Sequence, residues 1–131
     1  MAKRVFLSFL AEDAQQVTGL RLLAANPKYA DLEFYDESVT VPYESLNAAY
    51  IKVKIRAKIT RTSVTVCLIG PNTHTSKWVD WELDESHEKG NKIIAMALKG
   101  VERAVLPRLI RELELSFMSW DPSGLMTLIG E

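Results

Sequence analysis

From Ser63 to Ile69 the chain runs Ser-Val-Thr-Val-Cys-Leu-Ile, an unbroken β-branched and apolar stretch, and no other segment restricts the fold as much. A strand with one face in water alternates polar and apolar residues. This one fits a central strand covered on both faces, the arrangement of a parallel sheet between helical layers. Gly70-Pro71-Asn72 ends it.

The flanking patterns supply the layers. Val5-Phe6-Leu7-Ser8-Phe9 reads as a first strand, followed by Glu12-Asp13 and a helix carrying Val17, Leu20 and Leu23 or Ala24 inward. The two acids suit a helix start, and Asn26-Pro27 supplies a stop. Leu32-Glu33-Phe34-Tyr35 is a second strand, and Ser38 to Pro42 is expected as the loop at its carboxyl end. From Tyr43 the spacing Leu46, Tyr50, Val53, Ala57, with the neighbouring set Ile51, Ile55, Ile59, predicts a second helix with a wide apolar stripe. Ser76 is placed to cap a third helix from about Lys77 to Lys89, closed by Gly90-Asn91, and Lys92 to Leu98 is the next strand. Weaker patterns follow: a short helix opened by Pro107 and running to Leu113, a strand near Leu115 to Trp120, and a helix from Pro122 to Leu128. Strands alternating with helices predict a three-layer α/β/α, flavodoxin-like fold. Its mostly parallel five-stranded sheet is expected in the order 2-1-3-4-5.

At 131 residues the chain is sized for one domain, residues 1–131. Sixteen basic against 17 acidic residues leave a net charge of −1, which offers no general attraction to nucleic acid or an anionic membrane. No segment approaches the roughly 20 apolar residues of a membrane-spanning helix. Met1-Ala2-Lys3-Arg4 lacks a signal-peptide pattern, so a cytoplasmic location is expected. The single cysteine, Cys67, lies within the central strand and reads as a buried, inert thiol.

In open parallel sheets ligands bind beyond the carboxyl ends of the strands where strand order reverses, here between the first and third strands. The loops meeting there carry Ser8 and Phe9 to Asp13, Asp36 to Pro42, and Gly70 to Trp78, with Glu82 one turn into the third helix. The chain has no G-x-G-x-x-G after the first strand, no P-loop motif, no nucleophile elbow and no HExxH or CxxC. Metal ligation is not expected: His74 and His87 are the only histidines.

The segment Gly70-Pro71-Asn72, Ser76, Trp78-Val79-Asp80-Trp81-Glu82-Leu83 resembles the strand, turn and W-C-x-x-E-L motif of Toll/interleukin-1 receptor (TIR) domains, with valine in place of the usual cysteine. Lys3-Arg4-Val5-Phe6-Leu7-Ser8-Phe9 with Glu12-Asp13, and Glu88 to Ile94, resemble the bacterial TIR-like group, closest to that of Thoeris antiphage defence. The resemblance covers roughly three quarters of the chain. It implies an enzyme that cleaves the nicotinamide–ribose bond of NAD, with Glu82 catalytic and NAD as substrate, no cofactor being required. The product would be ADP-ribose or a cyclic ADP-ribose-type signal, read by a separate effector protein. Self-association is also implied, as is the alternative of a non-catalytic assembly module.

Phe6, Ser8, Phe9, Asp36, Asn72, Ser76 and Trp78 are the candidate substrate-binding residues. Each has a structural alternative. Glu82 shares its helix with Asp80, Asp84, Glu85 and Glu88 and could be a solvated acid, with Glu85 as fallback carboxylate. Trp78, four residues earlier, shares the face of Glu82 and either lines the site or fills the core. Asp36 either binds ligand or caps its loop. Alternation along the first strand does not decide which of Phe6, Ser8 and Phe9 faces the pocket. The basic residues Lys52, Lys54, Arg56, Lys58 and Arg61 read as a solvated helix face.

Overall fold

The computed structural model describes residues 3–26, 28, 32–36 and 42–131. Strands β1 (Lys3–Ser8), β2 (Leu32–Tyr35), β3 (Val64–Ile69), β4 (Lys92–Ala97) and β5 (Phe117–Met118) form one sheet in the order β2-β1-β3-β4-β5. Every pairing is parallel. Helices α1 (Ala14–Ala24), α2 (Ala48–Thr60), α3 (Lys77–Lys89), α4 (Arg108–Glu112) and α5 (Pro122–Gly130) cover it. This is the flavodoxin-like order read from the alternation of elements.

All six residues of β3 are buried, as its lack of alternation requires. On one face Val5, Leu7 and Phe9 join Val64, Val66, Leu68, Ile94 and Met96 beneath Val17 and Leu20 of α1 and Leu125, Met126 and Ile129 of α5. On the other, Cys67, Ile69 and Ala95 meet Val79 and Leu83 of α3 and Leu109 and Ile110 of α4. Phe6 lies on this second face with Ile55 and Ile59 of α2 and with Trp78. The register places Phe6 beside Thr65 and Ser8 beside Cys67. Alternation then sends Phe6 and Ser8 toward α2 and α3, and Phe9 the opposite way.

Several expected boundaries shift. Helix α2 starts at Ala48, not Tyr43, because residues 43–47 form turns, with Ser45 N–H bonded to Pro42 O and Ala48 N–H to Ser45 O. Only the Ile51, Ile55, Ile59 set packs inward. Leu46, Tyr50 and Val53 are exposed. Strand β5 is shorter than expected, because Leu115 N–H bonds to Ile110 O and Asp121 N–H turns to the Met96 sulfur. Helix α5 runs two residues further, to Gly130. Pro27 and residues 38–41 of the expected loop lie outside the described residues.

The bounds of α3 match the sequence pattern. Ser76 Oγ accepts from Val79 N–H at 3.1 Å. At the other end Gly90 takes a left-handed conformation, φ 90°, while Gly90 N–H bonds to His87 O and Asn91 N–H to Ser86 O. A side chain is strained at such a φ. Gly90→Ala is therefore expected to lower stability by about 1 kcal/mol. A urea midpoint equal to that of the unsubstituted chain would contradict the role assigned to this cap.

Candidate active site

Helix α3 turns Trp78, Val79, Glu82, Leu83 and Ser86 inward, one continuous stripe at helical spacing. In its middle stands Glu82, a carboxylate only 3% exposed. Its partner on the sheet is the last residue of β1: the fully buried Ser8 hydroxyl donates to Glu82 Oε1 at 2.8 Å. Burying a carboxylate costs several kcal/mol unless donors meet it, so this position is not a solvated helix face.

Aromatic rings wall the site on the α2 side. Trp78, one turn before Glu82, packs with Phe6. Its ring stands edge-to-face with Tyr43 at 5.1 Å and with Trp81 at 6.1 Å. Lys52 Nζ lies over Tyr43 at 4.2 Å, and the Arg56 guanidinium over Trp81 at 5.5 Å. Glu44 and Lys77 form an ion pair that joins the turn before α2 to the first turn of α3. Of the basic group on α2, Arg56 also pairs with Glu85 at 3.1 Å, which commits that neighbouring carboxylate to the surface between the helices.

The expected site residues separate into two groups. Ser8, Glu82, Phe6 and Trp78 come together on one face. Ser76 stands just before α3 with its hydroxyl oxygen used as the cap. Asn72 is exposed, and its amide donates to Glu12 Oε2 at 3.0 Å, tying the turn after β3 to the turn after β1. Asp36, directly after β2, pairs with Arg21 of α1 at 3.0 Å, and its carbonyl accepts from Lys58. Phe9 packs into the core beneath α1 and α5, across the sheet from Glu82. Tyr43 and Trp81 were not among the expected site residues. Trp81 is next to Glu82 in sequence, but only the packing of α2 on α3 reveals the ring stack.

Two other acids near the switch point are perturbed. Asp13 packs on Gly70 so closely that a Cβ there would stand 2.3 Å from its Oδ2, an atom that is buried without a hydrogen-bond partner. Burial, and secondarily the charge of Glu12, raises the Asp13 carboxyl above its ordinary value. Burial also raises Asp80, with Arg108 opposing. The Cys67 thiol is pushed far up, first by burial and then by the charge of Glu82, which keeps it protonated and inert. Among the described residues no group of three or more His, Cys, Asp or Glu is placed to hold a metal ion, and no helix is long and apolar enough to cross a membrane.

Residues 6–103 match the family model described as Thoeris protein ThsB, TIR-like domain. The chain belongs to this family. It is 35% identical over 106 residues to ThsB1 of Bacillus cereus (strain MSX-D12), a protein named as a candidate cyclic ADP-D-ribose synthase. The match takes in 73% of this chain and 52% of that relative, so the chain spans about half the relative's length. Among solved structures, the TIR domain of the Toll-related receptor TRR-2 from Hydra magnipapillata superposes with a TM-score of 0.65 at 15% identity, covering 97% of this chain and 98% of that one. The CMP N-glycosidase BcmB of Clostridium botulinum gives 0.61 at 16% identity, covering 98% and 100%. These two likenesses establish the shared TIR-like fold. The family match carries the Trp78 to Glu82 segment with it.

The Asp13 environment has a pH signature. Its raised folded value means that the folded state binds the proton more tightly than the unfolded state. The resulting destabilisation is absent below the unfolded carboxylate range and grows as pH rises through the folded value. Asp13→Asn is therefore expected to raise Tm at neutral pH, with the gain shrinking on acidification. Equal or lower Tm at neutral pH would show that the ionised carboxylate is stabilised where it sits.

Proposed function

We propose that this domain cleaves the bond between nicotinamide and ribose in NAD, with Glu82 as the catalytic carboxylate. The observation that carries this reading is the buried Glu82 held by the Ser8 hydroxyl beside the switch point of the sheet. The name of the Bacillus cereus relative agrees with it.

The chemistry asks little of the protein. When the C1′–N bond breaks, its electron pair goes to the pyridinium nitrogen and neutral nicotinamide leaves. No general acid is needed, in contrast with ordinary glycoside hydrolysis and its two carboxylates. Glu82 would hold the ribose hydroxyls and stabilise the positive charge growing on C1′, an electrostatic effect strengthened by exclusion of water. Water then adds to C1′ and loses a proton, giving ADP-ribose. Capture by another nucleophilic atom of the same nucleotide gives a cyclic product instead. In this reading the protein works in the cytoplasm, and a separate effector senses the nucleotide.

The test is release of nicotinamide from NAD by pure protein. Glu82→Gln keeps the shape and removes the charge, so kcat is expected to fall by roughly 100-fold or more with Tm preserved. Ser8→Ala removes one donor and is expected to cost on the order of tenfold. A folded Glu82→Gln variant as active as the unsubstituted chain would remove Glu82 from the mechanism.

A second reading, a non-catalytic module acting through self-association, is favoured by exposed Leu46, Tyr50 and Val53 on and beside α2. It predicts sedimentation that shifts with concentration and no nicotinamide release at any concentration tested. The two activities are compatible if neighbouring copies complete the site.

A further inference from the structure

One turn beyond Glu82, the inward stripe of α3 ends in a second polar residue, Ser86, which is fully buried. It belongs to a chain of hydrogen bonds that Glu82 chemistry does not itself require. Lys89 Nζ donates to Asn91 Oδ1 at 3.2 Å and also to the Thr62 carbonyl. The Asn91 amide donates to Thr62 Oγ1 at 3.0 Å and to Thr65 Oγ1 at 3.1 Å. The Thr62 hydroxyl donates to Ile59 O at 2.7 Å, and the Thr65 hydroxyl donates to Ser86 Oγ at 2.8 Å. Thr65 is fully buried on β3, and Thr62 and Asn91 are nearly so.

Stability alone gives little reason for this chain. Replacing a buried hydrogen-bonded pair by apolar groups of similar shape is often close to neutral. What the polar chain supplies is a unique fit. Val79 and Leu83 present smooth apolar surface to Cys67, Ile69 and Ala95, and such packing tolerates small slips along the helix axis. The hydroxyl and amide pairs do not, because a slip of one residue, about 1.5 Å, would leave several buried polar groups unmatched. The same slip would carry Glu82 along the sheet and lengthen and bend its 2.8 Å contact with Ser8.

The structure assigns Thr65, Ser86 and Asn91 as positioning residues: together they lock α3 against β3 so that Glu82 meets Ser8. Their effect on catalysis rests on the proposed role of Glu82. They touch no substrate, and they act through the placement of one carboxylate.

The test uses Thr65→Val, Ser86→Ala, the double variant carrying both, and Thr65→Ser, each first checked by thermal melting. The double variant removes both hydroxyls of the central bond, so neither is left unmatched, while the Asn91 amide keeps its Thr62 acceptor. In nicotinamide release from NAD, Thr65→Val, Ser86→Ala and the double variant are expected to lose roughly 10- to 100-fold in kcat with KM little changed. Thr65→Ser, which restores the hydroxyl, recovers most of it. A folded double variant with kcat within about twofold of the unsubstituted chain would overturn the assignment. A second readout needs no turnover: the 13C resonance of the Glu82 carboxyl, assigned by its loss in Glu82→Gln. It is expected to move in the double variant and return in Thr65→Ser. An unmoved resonance overturns the positioning role even if the chain proves inactive on NAD, whereas a moved resonance in an inactive chain upholds it and rejects only the proposed reaction.

Discussion

A carboxylate that is 3% exposed has to be met by hydrogen-bond donors, and the Ser8 hydroxyl ties Glu82 to the sheet. This contact brings together the end of β1 and the inner stripe of α3. It exists only because β1 and β3 are neighbours, with Ser8 level with Cys67, and because α3 crosses that face. Ser76 and Gly90 fix the ends of α3, and the apolar residues Val79 and Leu83 press it onto the sheet. The Trp78, Tyr43 and Trp81 rings then bind α3 to the start of α2. Without the central pair these features no longer converge on one acid.

Much of the fold was legible because its signals are local. The unbroken β3 run, the Ser76 cap and the Gly90 terminator each depend on a few adjacent residues, and α3 was placed to its first and last residue. What tertiary packing decides was harder to read. Apolar spacing alone extended α2 back to Tyr43, yet that residue lies in the turns before the helix, edge-to-face with Trp78. Alternation along β1 left open which of Phe6, Ser8 and Phe9 faced the site, because that depends on which side of the sheet α3 covers. The Asn72 contact with Glu12 and the Thr65, Ser86 and Asn91 chain join residues far apart in sequence, and no local pattern announces them. Ser86 did carry one faint signal: it lies four residues after Glu82, on the same helix face.

Membership of the ThsB TIR-like family gives these observations a common frame. A helix-borne carboxylate buried beside the switch point suits chemistry in which charge develops on a sugar and the leaving group departs without protonation. The exposed side of α2, with Leu46 beside it, suits contact between molecules. The two faces are separate: α2 turns Ile55 and Ile59 toward the sheet while Tyr50 and Val53 point away.

A bound structure with a non-hydrolysable NAD analogue would show where the nicotinamide ribose goes. The ribose hydroxyls are expected at hydrogen-bond distance from the Glu82 carboxylate, with Ser8 still beside it and the Trp78 side of the site against the ligand. An analogue seated instead in the groove of about 550 Å³ lined by Gln16, Gly19, Leu23, Lys99 and Trp120, with Glu82 untouched, would contradict it.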